Sequence, residues 1–102
     1  MSALGTEFKM NIHLEPIDGL HMSDYDFTCA FYVYTNRQVV IPKKNMKKVD
    51  DDNYIAVINS VDALKIGRGR INVEITAYIP DTDFEDGVRT EKLVLCTDVT
   101  AV

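Results

Sequence analysis

Hydrophobic and polar residues alternate along most of this chain with a period of two. In "EFKMNIHLEP" (Glu7 to Pro16), Phe8, Met10, Ile12 and Leu14 share one face, and Lys9, Asn11, His13 and Glu15 the other. That is the pattern of a half-buried strand, and Pro16, which cannot donate to a ladder, closes it. "DFTCAFYVYT" repeats the pattern with Phe27, Cys29, Phe31 and Val33 inward, and Thr28, Tyr32 and Tyr34 outward. Thr35 to Arg37 reads as a turn into the short strand "QVVIP", and "YIAVIN" as a further strand beyond a lysine-rich segment. The clearest strand is "RINVEITAYIP", where Ile71, Val73, Ile75, Ala77 and Ile79 oppose Asn72, Glu74, Thr76 and Tyr78. "RTEKLVLCT" is the last full strand, with "DVTAV" as a short edge. Only "SVDALKIG" has helical character, and Ser60 is expected to cap a single turn closed by Gly67. It reads as a crossover between two sheets.

Six or seven strands with one helical turn predict an all-β fold, an antiparallel immunoglobulin-like sandwich formed by residues 1–102 as one domain. A small closed barrel is the alternative. With 46% apolar residues, five tyrosines and four phenylalanines, 102 residues suffice for one core. The net charge of −5 argues against nucleic acid as a partner. No apolar run approaches the roughly 20 residues that span a bilayer, so no membrane partner is expected. "MSALGTEFKMN" lacks the basic segment and apolar core of a signal peptide, which points to synthesis in a cytoplasm. Cys29 and Cys96 are accordingly expected as two buried thiols. The inter-sheet disulfide of an immunoglobulin domain comes with a core tryptophan and a tyrosine two residues before the second cysteine. This chain has no tryptophan, and Val94 holds the tyrosine position.

The acidic stretch "YIPDTDFEDGVRTEKL" (Tyr78 to Leu93) invites a calcium reading. An EF-hand loop begun at Asp81 finds Asp83 and Glu85 at its third and fifth positions. Its sixth is Asp86 instead of glycine and its twelfth Lys92 instead of glutamate; Gly87 and Glu91 are displaced in opposite directions, so no shift repairs it. A looser site from Asp81, Asp83 and Asp86 is the alternative. The plainer reading is a hairpin end, with Pro80 stopping the strand and Asp86-Gly87 making the turn. Phe84 is expected to fold back over the sandwich end, the alternative being an exposed anchor for a partner.

Catalytic constellations fail on residue type and spacing. His21 to Asp24, "HMSD", has the letters of a hydrolase triad, but chain neighbours on a loop rarely take that geometry. Two cysteines and two histidines stand at no zinc spacing, and "GRG" lacks the flanks of a phosphate loop. No enzyme, metal or cofactor is expected. Lys43, Lys44, Lys47 and Lys48 precede Asp50, Asp51 and Asp52, and read either as a solvated loop or as a docking surface for an acidic neighbour. Tyr32 and Tyr34 suit an interface, a sugar site or an ordinary covered sheet face. Arg89 is placed to pair with the acidic turn or with a partner.

Three passages, "LEPIDGLHM", "DNYIA" (Asp52 to Ala56) and "AYIPDTDFEDGVRTE" (Ala77 to Glu91), resemble a family of short proteins encoded in phages and prophages of gut Bacteroidetes. The resemblance covers nearly the whole chain. In crAss-like bacteriophages such β domains are similar to virion components that decorate the head or adapt fibres and tail parts. It implies a non-enzymatic virion structural protein, head-associated first, with a neck, tail or baseplate adaptor as the alternative. A carbohydrate-binding module reading glycans with Tyr32, Tyr34 and Phe84 is a further alternative from the residues. Implied partners are other phage virion proteins, the major capsid protein among them, with homo-oligomers left open. The implied location is the virion after synthesis in the host cytoplasm.

Overall fold

The computed structural model describes residues 7–33, 38–67 and 69–101, with the backbone alone for 96–101. Seven strands form two antiparallel sheets in a sandwich-like arrangement with one short helix. The strands are β1 (Phe8–His13), β2 (Asp26–Tyr32), β3 (Val39–Pro42), β4 (Lys47–Asp50), β5 (Asn53–Ile58), β6 (Gly69–Pro80) and β7 (Val88–Ala101). One sheet runs β1-β5-β4 and the other β3-β2-β6-β7. β2 lies between β3 and β6, whereas the immunoglobulin constant order keeps the second strand in the first strand's sheet.

Alternation places the core. Phe27, Cys29 and Phe31 from β2 and Ile71, Val73, Ile75 and Ala77 from β6 have no exposed surface. Met10 and Ile12 from β1 meet them from the other sheet, with Tyr54, Ala56 and Ile58 from β5, in one continuous cluster. Phe27 joins the layers, its ring 5.3 Å from that of Tyr54 at an interplanar angle of 84°, the edge-to-face arrangement that aromatic quadrupoles favour.

Helix α1 (Ser60–Ile66) carries the chain from the three-stranded to the four-stranded sheet, as expected of the crossover. Its cap is Asn59 and not Ser60: Asn59 Oδ1 accepts from the Asp62 N–H at 2.8 Å. The extended backbone of Asn59 leaves its side chain free to turn back onto the helix start, which a residue already inside the helix cannot do. Gly69 then opens β6 at φ +133°, where a Cβ would stand 2.8 Å from Val33 Cγ1. Only glycine fits such a position.

Two more expectations change. The lysine segment is not an unstructured loop: Lys43–Asn45 form a 3-10 turn, and Lys47–Asp50 form the edge strand β4 against β5. Every residue of β4 is exposed, so no period-two signal marks it, and lysines on an edge discourage further pairing. "DVTAV" is not a separate edge, because β7 runs on to Ala101 through a register shift opposite Arg70 and Asn72. The expected turn at Thr35 to Arg37 lies outside the described residues.

Candidate interaction surface

One end of the sandwich gathers the residues with chemistry. It is built from the chain between β1 and β2, the β4–β5 turn and the β6–β7 hairpin end, residues 81–87. The acidic stretch is that hairpin end. Asp81 N–H donates to Gly87 O at 2.9 Å, Gly87 N–H to Phe84 O at 2.9 Å and Phe84 N–H to Asp81 O at 3.3 Å. Gly87 sits at φ +76°, in the left-handed region that a turn here requires. The carboxylates bond their own loop: Asp81 Oδ1 accepts from the Asp83 N–H and Asp86 Oδ1 from the Val88 N–H, which is ordinary Asx-turn chemistry. Among the described residues no group of three or more His, Cys, Asp or Glu is placed to hold a metal ion. Phe84 does not fold back over the sandwich; it stands 47% exposed on the braced loop.

Arg89, just after the turn, faces three carboxylates. Its guanidinium bonds Asp18, Glu91 at 2.9 Å and Asp81 at 3.5 Å. The hydrogen bond to Asp18 is the largest influence raising its pKa further, so it stays charged. Arg89 therefore ties the chain after β1 to the hairpin. Tyr25 Oη and Arg89 Nε are buried at this end without a protein hydrogen bond, and burial pushes the Tyr25 phenol up to about 12.

Lys43 is likewise turned inward. Its ammonium donates to Tyr25 O at 2.8 Å and Met22 O at 3.0 Å, and lies 5.6 Å from the centre of the Tyr54 ring and 5.7 Å from that of Phe27. Burial lowers its pKa, against the pull of Asp26. Lys44 and Lys47 are exposed, and Lys48 is an exposed partner of Asp51 at 3.1 Å. Only these three of the four lysines are presented outward.

A histidine–aspartate cluster beside them was not legible in the sequence. His21 Nδ1 lies 2.8 Å from Asp52 Oδ1, and His13 Nε2 3.2 Å from Glu15 Oε1. Ser23 Oγ donates to Asp51 and not to an imidazole, so "HMSD" does not assemble the hydroxyl–imidazole pair a triad starts from. The hydrogen bond to Asp52 raises the His21 pKa above 6.5, and that to Glu15 raises His13. A raised folded-state value stabilises fully below the unfolded value and is lost as pH rises through the folded one. Asp50 and Asp51 are held below 3.8, Asp50 chiefly by Asn53 and Asp51 by Lys48, so their contribution is present above that value and lost in acid. The melting temperature is expected to be higher near pH 5.5 than near pH 8.5, with His21→Gln flattening the difference. Thermal melts across that range in low salt check it; an unchanged slope in the variant would assign the dependence elsewhere.

Tyr32 ends β2 opposite Asn72, and the hairpin follows Pro80 at the far end of β6. Eight residues of strand put roughly 27 Å between those levels, so Tyr32 and Phe84 do not form one platform. Tyr34 lies outside the described residues. Cys29 is a free, buried thiol pushed up to about 12 by burial. Cys29 on β2 and Cys96 on β7 flank β6 in the same sheet, which separates their Cα atoms by at least about 9.5 Å, beyond the roughly 7 Å a disulfide spans.

Compared with known proteins, the chain matches no family model, no curated protein and no solved structure.

Proposed function

We propose that this chain is a non-enzymatic structural subunit of a phage virion, a head-associated auxiliary or decoration protein that docks on other virion proteins. Its residence would be the virion, after synthesis in the host cytoplasm. The carrying observation is the hairpin end, where Phe84 is held 47% exposed on a loop closed by its own backbone hydrogen bonds. An exposed aromatic on a loop whose backbone is already closed costs little loop ordering on docking, which favours a role as an interface anchor. Lys44 and Lys47 add exposed positive charge suited to orienting an acidic neighbour. The likeness of "AYIPDTDFEDGVRTE" to the phage family supplies the virion context. Because Tyr32 and Phe84 lie at well-separated levels along β6, these two residues named for a glycan site do not converge, and docking is the reading the geometry favours.

The test is quantitative mass spectrometry of purified phage particles, following the tryptic peptide Ile71 to Arg89. A ratio close to that of the major capsid protein supports a head-lattice subunit. A far lower ratio moves the protein to the neck, tail or baseplate. Absence from particles overturns the virion reading.

A further inference from the structure

Four strand edges are open among the described residues: β1 and β4 in one sheet, β3 and β7 in the other. Three of them carry features that oppose further pairing. β4 has four residues, Lys47 and Lys48 among them, and a register shift after Lys48. β3 has four residues and ends in Pro42. β1 has six and carries Lys9. β7 is unlike them. It too carries a lysine, Lys92, but it is fourteen residues long, without proline or glycine, and its pairing with β6 is unbroken from Val88 to Cys96.

Near the end of that stretch lies Leu93-Val94-Leu95. Val94 is 58% exposed and Leu95 38%. Leu93 and Leu95 stand opposite Ile75 and Val73, both fully buried. β7 thus continues the apolar inner face of its sheet past the cover given by the other sheet. What such an edge accepts is set by its backbone, since the N–H and C=O groups directed away from β6 are complementary to another extended strand.

We infer that β7 pairs antiparallel with β7 of a second copy of this chain, about a two-fold axis at Val94, joining two four-stranded sheets into one of eight. A two-fold perpendicular to the sheet sets residues at equal distances either side of the axis against each other, and the apolar run Leu93-Val94-Leu95 sets the register. An axis at Glu91 or at Lys92 opposes two like charges, which is destabilising. One at Leu93 sets Glu91 against Leu95. With the axis at Val94, Val94 meets its own copy, Leu93 meets Leu95 twice, and Lys92 and Glu91 fall at the levels of Cys96 and Thr97. The contact is isologous and closes on itself, giving a dimer and not a filament. It stands whether or not the chain is a virion subunit.

Sedimentation of the full chain tests this with Val94→Lys, Val94→Glu and their equimolar mixture. The native chain is expected to dimerise, and each variant alone to weaken the dimer roughly tenfold or more, because like charges meet on the axis. The mixture is expected to recover a heterodimer. Val40→Lys is the control: Val40 is equally exposed, at 58%, but lies on β3, and its dimer should persist. A native chain that stays monomeric overturns the inference, as does a mixture that fails to recover or a Val40 variant that weakens as much as those at Val94.

Discussion

Phe27→Ala is expected to lower the unfolding free energy by about 3–5 kcal/mol, the usual range for emptying a buried phenylalanine site. Against a total of about 5–15 kcal/mol for a domain of this kind, that is a large share. The melting temperature would fall by roughly 15–30 °C. Phe27 merits the upper part of the range because its contacts cross the sandwich. It has no exposed surface, stacks edge-on with Tyr54 of the opposite sheet and lies 6.1 Å from the Tyr25 ring. Its direct neighbour on β6 is Ala77, too small to fill the space left behind. Phe27→Leu retains most of the volume and should cost clearly less. Urea denaturation of both variants checks the ordering. A loss under about 1 kcal/mol for alanine, well short of the range for cavities, would mean that the sheets do not depend on this ring.

The same strand shows what the sequence made legible. Phe27, Cys29 and Phe31 are expected inward from alternation alone and are buried, as are all five inward residues of β6. Alternation works there because each strand has one dry face and one wet one. It fails at β4, which has no dry face and carries lysines that suit a loop equally well. The sheet assignment of β2 was also out of reach, since pairing partners are chosen by tertiary packing and not by the strand's own pattern.

The candidate surface divides along similar lines. The hairpin end is readable because Pro80, Asp86 and Gly87 act locally. Arg89 is placed correctly beside the acidic turn, yet its bond to Asp18 spans 71 positions, and nothing near Asp18 announces it. His21 and Asp52 are 31 positions apart and meet only because the β4–β5 turn lies beside the chain after β1. Phe84 was expected to fold back over the sandwich end, with an exposed anchor as the alternative. It stands 47% exposed instead, on a loop closed by the backbone hydrogen bonds of residues 81–87.

Lys43→Met separates the lysine that builds this end from those that face a partner. The substitution leaves an apolar stem between Phe27 and Tyr54 but removes the ammonium that donates to Tyr25 O and Met22 O. Losing a charged donor to two carbonyls, together with a cation–π contact, is expected to cost about 2–4 kcal/mol. The upper end is tempered because carbonyl oxygens tolerate under-satisfaction better than N–H groups. Lys43→Arg should not restore the native value, since a planar fork does not replace a compact ammonium between two carbonyls and two rings. Lys44→Met and Lys47→Met, at exposed positions, should stay within about 0.5 kcal/mol of native. Denaturant midpoints for the four variants decide the matter. If Lys43→Met proves as mild as the other two, its inward contacts contribute little and it rejoins the candidate docking surface. If it alone destabilises, the lysines left to meet a partner are the exposed Lys44, Lys47 and Lys48, and charge reversals there can be tested for assembly without disturbing the fold.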